Sequence, residues 1–175
     1  MLEAAKDVFA ASGVDAPVRE IAGKAGVGVA TIYRHFPERS DLIAAVFRKE
    51  VDACADAALR MSARYSPGEA LDRWLKRFID FVATKRGLSA ALHSGDPAYD
   101  VLPAYFEKRL LPAFEGLLKS AASAGAIRAG VEPYDLLSAV ASLCASNRDN
   151  DPARARRMIG LLLDGLRYGA SRSGG

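Results

Sequence analysis

An all-α fold is what this sequence predicts, and three observations predict it. Sustained period-2 alternation, the pattern of a half-buried strand, is absent along the 175 residues. Ala, Leu and Arg are abundant, and all three favour helix. Apolar residues recur at three- and four-residue steps that break at Gly and Pro, which divides the chain into about nine amphipathic helices.

The first helix carries Leu2, Ala5, Val8, Phe9 and Ala10 at helical spacing and stops near Ser12-Gly13, where glycine supplies a left-handed cap. A second begins around Pro17, whose fixed φ suits a first turn; it holds Val18, Ile21, Ala22 and Ala25 on one face and ends at Gly26. The third runs from about Val29 to His35, and Phe36-Pro37 closes it because proline pushes its predecessor out of the α region. The fourth opens on Ser40-Asp41 and keeps helical spacing through Leu42, Val46, Phe47, Val51, Cys54, Ala58 and Met61 to Tyr65.

After the break at Ser66-Pro67-Gly68, the apolar stripe Leu71, Trp74, Leu75, Phe78, Phe81 and Val82 predicts a fifth helix, ending at Lys85-Arg86-Gly87. A short segment from Leu88 to His93 and the turn Ser94-Gly95-Asp96-Pro97 follow. The next helical stretch runs from about Ala98 to Ala124, and Pro103 and Pro112 are the places where it starts, kinks or splits. The last two helices span about Pro133 to Ser146 and Pro152 to Tyr168, and the tail 171–175 is expected to fray.

Several function classes drop out on composition. Cys54 and Cys144 lie far apart, no CxxC pair exists, and two histidines cannot complete a zinc site of ordinary spacing, so no metal is expected. No apolar run reaches the roughly 20 residues of a membrane span, and the N-terminus has no basic leader before an apolar stretch; the expectation is a cytoplasmic protein without membrane contact. Catalytic groups are few: His93 is the one imidazole outside the third helix, and neither a Gly-x-Ser-x-Gly elbow nor a phosphate loop occurs, so neither an enzyme nor a cofactor is expected. The net charge of +3 neither demands nor excludes nucleic acid; over residues 1–50 seven cations balance seven acids, so placement decides.

Placement favours DNA. From Val18 to Phe36 the pattern is helix, glycine turn, short helix: small Ala22 permits close approach, Gly26 takes the positive φ of the turn, and Ile21, Val27 and Ile32 form a shared core. In such a helix-turn-helix the second helix enters the major groove while the first crosses the backbone. Its outer side would present Gly28, Val29, Ala30, Thr31, Tyr33, Arg34 and His35. Hydroxyl, imidazole and guanidinium groups suit phosphate oxygens, and arginine matches guanine O6 and N7 with two donors. Small Gly28 and Ala30 allow a close approach to base edges, and Arg19 and Arg39 are placed to grip flanking phosphates.

The run Ala22-Gly23-Lys24-Ala25-Gly26-Val27-Gly28-Val29-Ala30-Thr31-Ile32-Tyr33-Arg34-His35-Phe36-Pro37, with Arg39, Leu42 and the helix from Leu2 to Ala10, resembles the signature of the tetracycline-repressor (TetR) family of bacterial regulators. The resemblance covers about Leu2 to Phe47. It implies that Thr31, Tyr33, His35 and Arg39 touch phosphates and that Gly28, Val29, Ala30 and Arg34 approach bases. Two departures accompany it. Asp15-Ala16-Pro17 stands where relatives commonly have Ser or Thr, and the first helix starts at Met1 without the basic arm that relatives place before it, so an arm upstream of Met1 is expected to be trimmed or lacking.

The resemblance further implies a DNA-binding domain over residues 1–47, a fourth helix over 40–65 that links it onward, and a helical effector-binding and dimerisation domain over 48–170. Partners would be a palindromic double-stranded operator, a second copy of the chain and a small-molecule effector. Leu136, Leu137, Val140, Leu143, Cys144, Ile159, Leu162, Leu163 and Leu166, with Gly160, Gly165 and Gly169 allowing close approach, are the candidates for a four-helix homodimer contact. The effector pocket would lie between the fourth helix and those after Pro67, among Cys54, Ala58, Met61, Trp74, Phe78, Phe81, His93, Tyr105 and Phe106. Few of these are charged, so a largely apolar effector is expected, with Trp74 and Tyr105 offering polar handles. The competing reading is a helical protein-interaction module derived from such a regulator that no longer binds DNA.

Overall fold

A computed structural model describes residues 1–145 and 152–170; the side chains of 83–87, 89–90, 145, 152, 169 and 170 are outside that description. Among the described residues the chain forms eight α-helices and one 3₁₀ turn, with no strand. The helices are α1 (Leu2–Ser12), α2 (Val18–Ala25), α3 (Val29–His35), α4 (Arg39–Arg64), α5 (Pro67–Leu92), α6 (Leu102–Ser123), α7 (Pro133–Ala145) and α8 (Pro152–Ala170), with the 3₁₀ turn at Pro97–Tyr99.

The first four helices begin and end within a residue or so of the sequence expectation, because each boundary has a local cause. Gly13 ends α1 at φ 79°, in a region open to glycine, although its ψ of 175° makes it an extended residue rather than the expected left-handed cap. Gly26 ends α2 as a left-handed cap, φ 66° and ψ 31°, and the Val27 N–H reaches back to the Ala22 carbonyl, satisfying the last turn. Phe36 leaves α3 in extended conformation ahead of Pro37.

The fifth helix departs from expectation. It does not stop at Lys85-Arg86-Gly87 but continues to Leu92, merging two expected segments and bringing nine helices to eight. A mid-helix glycine costs only about 1 kcal/mol, and the fully buried Leu88 lies just beyond it. Proline behaves positionally: Pro103 sits in the first turn of α6, where its missing N–H costs nothing, whereas Pro112 is carried inside the helix. Ser146, expected to end the seventh helix, and the tail 171–175 lie outside the described residues.

The chain packs into two compact units that interleave in sequence. One comprises Met1–Asp52 with Ala83–Glu107, the other Ala53–Val82 with Lys108–Gly175. In the first, Ala5, Phe9, Ile21, Ala22, Ile32, Leu42 and Phe47 are buried, and the Tyr105 hydroxyl donates to the Asp52 carboxylate at 2.8 Å, tying α6 to α4. The second unit is built around Trp74. Its ring stacks on Phe78 at 5.5 Å and on Phe114 at 4.8 Å, and its indole N–H donates to the Cys54 carbonyl at 2.8 Å. Leu136, Leu137, Val140, Ile159, Leu163 and Leu166 are buried in the same unit, and the Arg128 N–H caps the Leu166 carbonyl of α8 at 2.9 Å. No helix among the described residues is long and apolar enough to cross a membrane.

Candidate nucleic-acid interface

Helix α3 is anchored by one side chain. Ile32 is its only buried residue, while Val29, Ala30, Tyr33, Arg34 and His35 are exposed and Thr31 is half-buried. Tyr33 is 49% exposed and Val29 40%, unusual for residues of that size, so α3 offers apolar surface to solvent alongside its cations. The Arg34 guanidinium donates to the Thr31 hydroxyl at 3.2 Å, one turn back, which orients it along the outer face of the helix. Gly28 precedes α3 with φ −72°, a conformation any residue adopts, and a Cβ there would come no nearer than 3.9 Å to Thr31 Oγ1. Folding therefore does not demand glycine at 28; a close approach from outside would.

The seven cations and seven acids of residues 1–50 are sorted in space. Lys6 pairs with Glu50 at 3.1 Å and with Glu3 at 3.4 Å, Lys49 with Glu3 at 2.6 Å, and Lys24 with Asp7 at 3.0 Å. The segment from Gly26 to Pro37 contains Arg34 and His35 and no acid. Exposed Arg19 has neither ion pair nor hydrogen bond among the described residues, so its guanidinium is available to a phosphate. Local cancellation explains how a formally neutral head keeps a cationic recognition helix.

Two structural roles on these helices were not visible in the sequence. Glu50 is 3% exposed, and its bridge to Lys6 pins α1 to α4. Burial opposes the charge on Lys6, but the hydrogen bond to Glu50 and the carboxylates of Glu50 and Glu3 outweigh it and hold its pKa above the ordinary lysine value. The hydrogen bond from Lys49 pulls the Glu3 carboxyl below its ordinary value. The signal for Glu50 was its register: it falls three residues after Phe47 and four before Cys54, on the apolar stripe of α4.

Arg39, expected at a flanking phosphate, is turned inward. Its Nε donates to the Val14 carbonyl at 2.6 Å, one terminal nitrogen donates to the carbonyls of Val14 and Ala16, and the guanidinium lies 5.8 Å from the Phe9 ring centroid. Arg39 thus braces the loop between α1 and α2, with its second terminal nitrogen left over. Nothing in the local sequence names two backbone carbonyls 23 and 25 positions away as its partners.

The remaining candidates divide between the units. Cys54, Ala58, Met61, Trp74, Phe78 and Phe81 fall in the unit built around Trp74, whereas His93, Tyr105 and Phe106 fall in the unit that contains α3. All six of the first group except half-buried Met61 are buried. Both expected polar handles are taken by the protein, Trp74 by the Cys54 carbonyl and Tyr105 by Asp52. His93 is exposed. Of the expected dimer residues, Leu136, Leu137, Val140, Cys144, Ile159, Leu163 and Leu166 are buried within their own chain; Leu143 and Leu162 are half-buried. The large apolar side chains that α7 and α8 leave exposed are Tyr134, Leu161 and Tyr168, at 58%, 73% and 68%.

Comparison with known proteins agrees with this architecture. Residues 1–46 match the model of bacterial regulatory proteins of the tetR family, and residues 66–168 match that of the transcriptional regulator SbtR-like C-terminal domain. No curated protein matches the chain significantly. Among solved structures, a TetR transcriptional regulator from Streptomyces coelicolor is 37% identical over 95% of each chain, with a TM-score of 0.83. A TetR transcription regulatory protein from Mycobacterium vanbaalenii is 34% identical over 95% of this chain and 92% of its own, with a TM-score of 0.71. A transcriptional regulator FadR from Bacillus subtilis, in complex with stearoyl-CoA, shares the fold at 18% identity and a TM-score of 0.66, covering 96% of each chain. With its three-helix head, its exposed recognition helix and these matches along both parts of the sequence, the chain belongs to the TetR family of DNA-binding transcriptional regulators.

Proposed function

We propose that the protein is a dimeric repressor that holds a palindromic operator through α3 and releases it when a small, largely apolar molecule binds. The observation that carries the reading is the outer face of α3: Thr31, Tyr33, Arg34 and His35 stand on one short helix that holds to the head by Ile32 alone. Arg34 is the base-reading side chain, with Val29 and Ala30 for apolar contact to thymine methyls. Thr31, Tyr33, His35 and Arg19 are the phosphate contacts, and the spare terminal nitrogen of Arg39 can join them.

A single head makes too few contacts for tight, specific binding; two heads reading half-sites about 34 Å apart, one turn of B-DNA, supply them. The half of the interface that packing leaves open is the outer face of α8, where Leu161 and Tyr168 lie two turns apart with Gly165 between them. Most of the leucines expected at the interface are buried in their own chain and back this face.

The effector is assigned to the apolar surroundings of Cys54, Ala58, Met61, Trp74, Phe78 and Phe81. With the Trp74 N–H engaged by Cys54, an effector there is held by shape and apolar contact. Selection of bound duplexes from a random pool tests the reading. Recovery of a palindrome whose binding weakens steeply with salt is the expected result; no sequence bound at low salt points to the interaction module instead.

A further inference from the structure

The unit that contains α3 also holds a cavity of ≈ 390 Å³, lined on one side by Val14, Asp15, Glu38, Arg39 and Ile43 and on the other by the segment from Ala91 to Tyr99. It shares no residue with the effector candidates. Two independent features mark it. Tyr99 is only 7% exposed, yet its hydroxyl has no hydrogen-bond partner among the described residues. An unpaired hydroxyl on a buried residue is costly, and Tyr99 lines the cavity together with Asp96 and Arg39. The second feature is charge: three carboxylates, Asp15, Glu38 and Asp96, face one guanidinium whose Nε and one terminal nitrogen are already spent on the carbonyls of Val14 and Ala16.

Asp96 gives one oxygen to the Ala98 N–H and keeps the other. Asp15 and Glu38 form no ion pair among the described residues. No group of three metal-binding side chains occurs among the described residues, so these carboxylates are too dispersed to close on one metal ion. Dispersed carboxylates that share one cavity with apolar Ile43 and Ala91 suit a cation that is itself extended, with ammonium groups separated by an alkyl stem. The Tyr99 hydroxyl accepts an N–H from such a group, and the volume fits a small organic ligand.

We infer that this cavity is a second ligand site, for a small aliphatic diamine or polyamine, with Tyr99 as its buried hydrogen-bonding residue and Asp15, Glu38 and Asp96 as its counter-charges. An occupied site ties the loop before α2 and the start of α4 to the 91–99 segment.

Calorimetric titration of the intact protein with putrescine, without DNA, tests the site independently of operator binding. The expected result is saturable binding at one site per chain, none with the isosteric neutral butanediol, and about three- to tenfold weaker binding in Tyr99→Phe. The double variant Asp15→Asn, Glu38→Gln weakens it about tenfold or more. The inference is overturned if putrescine gives no saturable heat, if butanediol binds as tightly, or if Tyr99→Phe binds putrescine as wild type does, which reduces the attraction to diffuse surface charge. Should Tyr99→Phe fail to fold, the double variant decides: its two side chains are surface groups, and unchanged binding in it overturns the inference.

Discussion

The two compact units solve the problem of holding long helices together in different ways. In the unit with α3, directional polar links do much of the positioning: Lys6 to Glu50 and Lys49 to Glu3 fix α1 on α4, Arg39 clamps the α1–α2 loop, and Tyr105 reaches Asp52. In the unit around Trp74 the ion pairs between helices, Arg109–Asp56, Arg156–Asp80 and Arg167–Asp72, lie on the surface, and the buried centre is made of stacked rings with the indole N–H to Cys54 as its polar link. Hydrogen bonds weaken steeply as they bend away from linearity, whereas apolar packing is non-directional. A head that must meet a fixed DNA geometry gains from the first kind of link.

The largest expected effect comes from removing the aromatic centre. Trp74→Ala should cost about 3–5 kcal/mol in urea unfolding, since the site is fully buried and its ring meets Phe78 and Phe114. A loss under 1 kcal/mol would mean that the aromatic stack does not hold that unit.

Next is the ionic link of the head. Lys6→Met breaks the ion pair to buried Glu50 and should cost about 2 kcal/mol, less than a fully buried pair because the Lys6 side chain is 28% exposed. The double variant with Glu50→Met should recover part of that loss, because it removes the buried carboxylate that lost the Lys6 cation. Failure to recover would show that the pair contributes net stability rather than geometry alone.

On the outer face of α3, stability and function should separate. Arg34→Ala is expected to weaken operator binding by about 1–3 kcal/mol in mobility-shift titrations, while its melting temperature stays near wild type because the side chain is exposed. Gly28→Ala sharpens the same distinction: its φ of −72° and open surroundings predict a change in folding stability below about 1 kcal/mol. Operator affinity should fall if the backbone at 28 approaches the bases. Equal affinity in both variants and wild type removes α3 from base readout.

The smallest effect is on pH. Lys6 is raised above the ordinary 10.5, so its ion-pair stabilisation is fully present below that value and is lost as pH rises through the folded-state pKa. Tyr99 is raised above 10.0, chiefly by burial and then by Asp96, with Arg39 opposing; the unfolded chain therefore releases the phenolic proton first, and folding weakens above that value. Both act in one direction, so the unfolding midpoint should decline from about pH 10 upward. Lys6→Met should flatten the decline; an unchanged slope would remove Lys6 as its source.

Much of the head was legible in the sequence because its boundaries are set by residues whose backbone preferences are local. Gly13, Gly26 and Pro37 mark three of the helix ends, and Ile21, Ala22 and Ile32 are the buried residues of α2 and α3. Local rules ran out where a tertiary partner decides. Gly87 reads as a stop, yet α5 continues to the buried Leu88 and beyond. Arg39 reads as a phosphate ligand, and only the fold brings the Val14 and Ala16 carbonyls to it. The leucines of α7 and α8 read as a dimer contact and most of them are buried within their own chain; hydrophobic spacing cannot tell a face that covers its own core from one that meets a second chain. Tyr105 and Trp74 were singled out for polar tips that needed partners, and the chain itself supplies those partners.

Helix α3 keeps a single buried residue, Ile32, and its ends are set by Gly28 and by Phe36 ahead of Pro37. Its other six positions can therefore change with little penalty to folding. Specificity on such a helix is free to drift: substitutions can retarget the regulator to a new operator without first acquiring compensating mutations in the core, and a library randomised at 29, 30, 31, 33, 34 and 35 should yield mostly folded members from which new operator preferences can be selected.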